Sequence, residues 1–278
     1  MAVRRIHHLD CATFRPYGRR FVDGDGGLVA TGTIVTHCLL VETDTRLVLV
    51  DSGFGTADLA DPKRRLGTIF ILSGRPVLDP EQTALRQVAR LGYRPEDVAD
   101  VLLTHLDVDH AGGLADFPGA TVHVFETEHR AAMAGDGRFG GSRYRPFHWG
   151  HGPRWALHRP EGEPWFGFEC ARNLDRELSD FVLVSLPGHT LGHAGVAVRR
   201  SDAWLLHAGD SYMDQRMLDP QRPRCPTGLA IFQWGVAADR AARWKTLERL
   251  RALASRHAAE VRLFPAHDAR EFNRLRGD

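Results

Sequence analysis

Residues 101–113 read VLLTHLDVDHAGG. Val101, Leu102 and Leu103 form a strand-like apolar run, and His105, Asp107, Asp109 and His110 follow it at once. Four side chains able to ligate a metal thus fall within six residues, between the end of a strand and the flexible pair Gly112-Gly113. Side chains so placed can converge on one point. A mixed set of imidazoles and carboxylates suits zinc, iron or manganese.

Three more residues of ligating type end strand-like runs further along. His189 follows VLVSLPG, Asp210 follows WLLHAG, and His267 follows VRLFPA. Strand ends on one edge of packed sheets open onto one cleft. A lone histidine at a strand end is ordinarily a surface or core residue. Seven residues of the right types, all at strand ends, predict a metal centre.

Apolar runs alternate with helical patterns through the chain, so the class is α/β or α+β. Residues 33–41 and 46–50 read as a hairpin turning at Thr43-Asp44-Thr45, and its second strand ends in Asp51-Ser52-Gly53. Residues 194–200 and 203–207 repeat that pattern about Ser201-Asp202, ending in Gly209-Asp210-Ser211, which hints at two related halves. A helix is expected over 80–91, with Asp79 as N-cap, Gln82 as capping-box partner and Gly92 at its end. A second is expected over 239–257, burying Trp244, Leu247, Leu250 and Ala254.

The segment 135–173 differs. It holds Gly135, Gly137, Gly140 and Gly141 and the aromatics Phe139, Tyr144, Phe147, Trp149, Trp155, Trp165, Phe166 and Phe168, with little periodicity. It is expected as a loop-rich insertion folded over the site, with Phe147, Trp149 and Trp165 as substrate wall. Disordered segments are poor in aromatics.

The 278 residues, 43% hydrophobic and 26% charged with net charge +1, have the composition of a globular protein and leave room for one large domain or two small ones. A single domain over 1–278 acting on a small-molecule substrate is the expectation. No field of one sign is available to hold nucleic acid or an anionic membrane. The opening MAVRRIHHLD lacks a signal peptide's apolar stretch, and no run approaches the ~18 apolar residues of a membrane span. A cytoplasmic location is the expectation, with a homodimer as the candidate assembly. Cys11, Cys38, Cys170 and Cys225 form no CxxC pair and read as packed thiols.

HLDVDHAGG, PGHTLGH, the Gly-Asp of HAGDS and the late FPAHD, in this order and spacing, together resemble the metallo-β-lactamase superfamily over about residues 33–270. The resemblance implies an αββα four-layer sandwich with two divalent metal ions at one edge of the paired sheets. One ion would take His105, Asp107 and His189; the other Asp109, His110 and His267; Asp210 would bridge them. A hydroxide between the ions would attack an ester-type carbonyl, and Asp109 would carry the proton to the leaving oxygen. His193 and Asp51 would orient ligands, while His123 and His207 would be packed.

The superfamily's usual run is HxHxDH, and Asp107 here stands in place of the second histidine. A harder donor set shifts preference from zinc towards iron or manganese. Flavodiiron proteins also carry a carboxylate there, but only eleven residues follow His267, so their flavodoxin domain is not expected. If Asp107 falls short of the metal, His148 or His151 could complete the site. The motif order and GDSY at 209–212 look closest to the lactonase branch (N-acyl homoserine lactonases and 4-pyridoxolactonase), in which Tyr212 would contact the substrate carbonyl. The alternatives are a thioester hydrolase of glyoxalase II type and a non-catalytic metal-binding or sensing module.

Overall fold

The computed structural model describes residues 2–135, 143–171, 174–201 and 203–277. Phe139, Gly137, Gly140, Gly141 and Asp202 lie outside the described residues. The strands in the first part of the chain are β1 (Val3–Asp10), β2 (Thr13–Phe14), β3 (His37–Thr43), β4 (Leu47–Val50), β5 (Pro76–Val77), β6 (Val98–Leu102), β7 (Thr121–Phe125) and β8 (Arg154–His158). Then come β9 (Cys170–Ala171), β10 (Phe181–Ser185), β11 (Ala194–Arg200), β12 (Ala203–His207) and β13 (Val261–Phe264). One sheet runs β1-β3-β4-β6-β7-β8 and the other β13-β12-β11-β10-β9, while β2 pairs with β5 apart from both.

Alternation along the central strands shows how the layers form. In β3 and β4, Leu39, Val41, Val48 and Val50 face the second sheet, meeting Phe181, Leu183, Val196, Val198 and Leu205. Their neighbours Cys38, Leu40, Leu47 and Leu49 face outward onto Ala84, Val88 and Ala132 of the helices Ala84–Arg90 and Glu126–Ala134. On the far side, Val182, Val184, Leu206 and Leu263 pack against Leu247, Leu250 and Leu253 of the helix Arg240–Arg256. Both faces of each sheet are therefore covered, and the strands read as unbroken apolar runs. Each such Leu or Val contributes roughly 1.5–3 kcal/mol by burial. The expected four-layer αββα sandwich is the observed fold.

The two hairpins do correspond. β3 and β4 are antiparallel and β4 is joined in parallel by β6; β11 and β12 are antiparallel and β12 is joined in parallel by β13. Within each sheet the strands leading to the site point the same way, so their C-terminal ends share an edge.

Several local expectations change. The helix expected over 80–91 is a 3₁₀ turn, Pro80–Gln82, followed by a separate helix Ala84–Arg90. Asp79 caps the first, and the Thr83 hydroxyl caps the second while bonding back to Pro80 O at 2.8 Å. Gln82 is no capping-box partner, since its amide donates to Thr13 Oγ1 at 2.8 Å. Trp244 is 54% exposed rather than core. The segment 135–173 supplies an edge strand to each sheet, β8 and β9. Trp165 is buried against the second sheet's outer face, so it is core and not substrate wall, and the half-buried Trp149 packs on the first sheet's outer cluster. Phe147 sits under the Arg64 guanidinium, 4.8 Å from its ring centre.

The loop carrying His189 is clamped by the start of the helix Arg240–Arg256. Asp239 N donates to Gly188 O at 3.0 Å, Ala238 N to His189 O at 3.0 Å, and Thr246 Oγ1 to Pro187 O at 2.8 Å. Gly188 has φ +138°, and a Cβ there would meet Arg243 Cα at 2.2 Å. Gly188→Ala is therefore expected to lower the unfolding free energy by about 2–4 kcal/mol, through both strain and clash. The check is the urea midpoint at unchanged slope. A change within about 0.5 kcal/mol, the scale of an ordinary surface substitution, would show that this clamp does not hold the loop.

Candidate metal centre

Two groups of three buried side chains stand at the shared edge of the sheets. His105, His189 and Asp210 form one and Asp109, His110 and His267 the other, with the ligand atoms of each within 4.8 Å of one another. Asp210 joins them. Its carboxylate oxygens lie 3.3 Å from His110 Nε2, 3.0 Å from His267 Nε2 and 3.5 Å from His189 Nε2. Asp109 Oδ2 lies 3.7 Å from His267 Nε2 and 4.0 Å from His110 Nε2.

The far ring nitrogens decide which atom faces the centre. His110 Nδ1 donates to Asp51 Oδ2 at 2.8 Å, and His267 Nδ1 donates to Val35 O at 2.7 Å. His105 Nδ1 lies 2.9 Å from Thr104 Oγ1, which in turn donates to Asp51 Oδ2 at 2.8 Å. Each pairing turns Nε2 inward as an acceptor. His105 Nε2, His110 Nε2 and Asp210 Oδ1 are buried and make no hydrogen bond among the described residues. Buried polar atoms are nearly always satisfied. Orphaned donor atoms that converge on one point, from residues of ligating type, fit a bound cation.

The charges argue the same way. Burial opposes ionisation of Asp210, yet His267, His110 and His189 hold its carboxyl well below the usual range. Burial likewise disfavours charging His110, but Asp210, Asp51 and Asp109 push it well above its ordinary value. Three carboxylates crowded on one buried imidazole make a centre that favours positive charge.

His193 and Asp51 take the orienting places expected of them. His193 Nε2 accepts from Asp210 N at 2.9 Å. His207 and His123 are packed: His207 Nδ1 accepts from Gly209 N at 3.1 Å, and His123 pairs with Asp100 at 2.9 Å.

Asp107 stands beside the first group, not within it. Its Oδ2 lies 2.9 Å from His189 Nε2 and 3.5 Å from His105 Nε2, and its Oδ1 lies 2.9 Å from Arg143 Nε. His148 and His151 do not complete the site. His148 is bound to Asp58 at 3.1 Å, and His151 is exposed.

Tyr212 is a correction. It is fully buried in the outer core of the second sheet, and its hydroxyl donates to Gln215 Oε1 at 3.1 Å. The chain reverses at Gly209, φ +52°, so Asp210 reaches the centre while Tyr212 is committed to packing.

Sequence reading missed Glu128 and Arg143. Buried Glu128 accepts from Leu106 N at 3.0 Å, Gly192 N at 3.2 Å and Tyr144 Oη at 3.1 Å, tying both ligand loops to the segment that follows. A Cβ at Gly192 would meet Glu128 N at 2.1 Å, so that loop rests directly on the helix backbone. A lone Glu in a short helix and one Arg among many carry no signal in spacing.

The centre has an apolar flank and a mixed one. Phe14, Phe54, Leu66 and Val108 form a buried cluster beside it, and the Phe14 ring stands edge-on to His267 at 6.5 Å. A cavity of about 220 Å³ opens on His267, lined by Ile34, Met213 and Leu229 together with Arg19 and Arg270. Leu191, between the two histidine motifs of its loop, is 55% exposed.

Residues 31–267 match the model of the family described as the metallo-beta-lactamase superfamily. The chain is 40% identical over 269 residues to a probable metallo-hydrolase of Mycobacterium tuberculosis, covering 95% of this chain and 80% of that one. It is 27% identical over 215 residues to the N-acyl homoserine lactonase AttM of Rhizobium radiobacter, covering 77% of this chain and 74% of that one. Bacillus thuringiensis AiiA, solved with N-decanoyl-L-homoserine at its active site, has the same fold at TM-score 0.71 and 19% identity, with 99% of this chain and 97% of that one covered. No helix among the described residues is long and apolar enough to cross a membrane. The chain belongs to the metallo-beta-lactamase superfamily and is a metallo-hydrolase whose relatives include N-acyl homoserine lactonases.

Proposed function

We propose that the protein hydrolyses an ester-type carbonyl, foremost a lactone, at a centre for two divalent metal ions. His105, His189 and Asp210 would hold one ion, and Asp109, His110 and His267 the other, with Asp210 common to both. The observation that carries this reading is the pair of buried triads joined through a single carboxylate. The likeness to AttM supports a lactone as substrate class.

Divalent ions held there would supply a nucleophile from water at neutral pH and polarise the ester carbonyl. The remaining work falls to the protein. Asp51, Thr104, Val35 and His193 hold the ligating groups in place through their far atoms, so little reorganisation is needed during reaction. Asp109 is the carboxylate placed to take the proton from the attacking water and deliver it to the leaving alkoxide. As the ring C–O bond breaks, the water oxygen becomes part of the carboxylate and the alkoxide takes the proton, becoming the hydroxyl of the same hydroxy acid.

The reading is tested on apo-protein loaded separately with zinc, manganese and iron and offered a lactone, a thioester and a phosphodiester. Turnover is expected on the lactone first; turnover confined to the thioester or phosphodiester would overturn the substrate class. Elemental analysis of His110→Ala and Asp210→Ala should show less bound metal than the parent chain, and full retention in both would remove the ligand set. Asp109→Asn is expected to lose about 10²-fold or more in kcat, the scale of lost acid–base assistance. Unchanged turnover would take Asp109 out of proton transfer.

A further inference from the structure

Arg143 is the cation that faces Asp107. Its Nε lies 2.9 Å from Asp107 Oδ1 and 3.2 Å from Oδ2. Its Nη1 donates to His189 O at 2.9 Å, and its Nη2 lies 3.1 Å from His189 Nε2. One guanidinium therefore engages both the carboxylate beside the first site and the nitrogen with which His189 would bind an ion.

This is not a wandering surface side chain. Arg143 is 10% exposed. The next residue, Tyr144, is buried in the core and bonds Glu128, which also bonds Leu106 next to Asp107 and Gly192 in the His189 loop. Arg143, Asp107 and His189 are thus held to one another through a single buried carboxylate. An arginine cannot shed its proton in a protein, and its fork matches a carboxylate. An ion at His105, His189 and Asp210 would have to take His189 Nε2 from the Arg143–Asp107 pair, whose Nη2 and Oδ2 lie 3.1 and 2.9 Å from it, and stand beside a fixed positive charge. The site of Asp109, His110 and His267 has no such competitor among the described residues.

We propose that Arg143 is a resident cation competing with metal at the first site, a positioning residue that withholds Asp107 and His189 and makes the two sites unequal. Asp107 then serves as the guanidinium's partner, and metal enters the first site only as that pair yields. This rests on the two-site reading above.

The test is a binding isotherm of apo-protein with zinc and with manganese against a competing chelator, with stoichiometry by elemental analysis. The parent chain is expected to bind one equivalent at least about tenfold more tightly than the second. Arg143→Met and Arg143→Gln, which remove the charge, are each expected to tighten the weaker equivalent by about tenfold or more, the scale on which groups around a ligand alter affinity. The tighter equivalent should stay within about threefold. Arg143→Lys keeps a cation and should resemble the parent, which a purely structural role would not predict. Far-ultraviolet circular dichroism checks that each variant is folded, and the glutamine form keeps hydrogen bonding should the methionine form fail. A weaker equivalent that is unchanged or loosened in both neutral variants overturns the proposal while leaving the two-site centre standing. Absence of tight metal in the parent and in every variant would overturn the centre itself.

Discussion

The centre hangs from the carboxylate of Asp51. Fully buried at the end of β4, it accepts from Thr104 N, Thr104 Oγ1 and His110 Nδ1, each at 2.8 Å. Through the Thr104 hydroxyl it also reaches His105 Nδ1. One carboxylate thereby fixes the loop after β6 and aims two imidazoles from it. Asp51 adopts φ +55°, which an L-residue reaches at a cost of about 1–3 kcal/mol. Three bonds to an ionised acceptor, each contributing roughly 1.5–3 kcal/mol, exceed that cost. Burial raises the acid's affinity for a proton, but the His110 imidazole outweighs it and keeps Asp51 ionised.

Around that anchor the second requirement is electrical. Asp107, Asp109 and Asp210 bring three carboxylates to one cleft, and uncompensated charge in such a place is expensive. Imidazoles meet part of the demand and the Arg143 guanidinium meets the part nearest Asp107. Glu128 adds a fourth acid just outside, satisfied by two backbone amides and a phenol rather than by a cation. The arrangement separates acids that face the cleft from acids that hold its walls. That division is what lets one edge of two sheets carry so many ionisable groups without losing its packing.

Much of this was legible in one dimension. The buried strands announce themselves as apolar runs because both faces are covered, and the ligating residues stand out because each falls where such a run stops. The hairpins expected over 33–50 and 194–207 are present as β3–β4 and β11–β12, with β3 starting at His37 rather than Thr33. Other features failed for stated reasons. The helix over 80–91 breaks because Thr83 spends its hydroxyl on both the turn before it and the helix after it. Trp165 looked like a cleft residue because it lies in a glycine-rich stretch, yet β9 draws that stretch onto the second sheet. Tyr212 kept its spacing from Asp210 but lost its place, since a residue two past a left-handed turn points wherever the turn sends it.

By itself, the sequence determined the alternation of strands and helices and the placing of ligating residue types at strand ends, which are local properties of periodicity and chemistry. The four-layer sandwich and the division of those residues into two groups were what the resemblance to the metallo-β-lactamase superfamily implied. Tertiary structure alone decided which groups stand behind the ligands and which cation meets Asp107. Glu128 and Arg143 lie 21 and 36 residues from Asp107 along the chain. Arg143 meets Asp107, and Glu128 meets its neighbour Leu106, only because β6, the helix Glu126–Ala134 and the loop after β10 pack side by side, and no spacing rule connects residues whose sole relation is a contact in space.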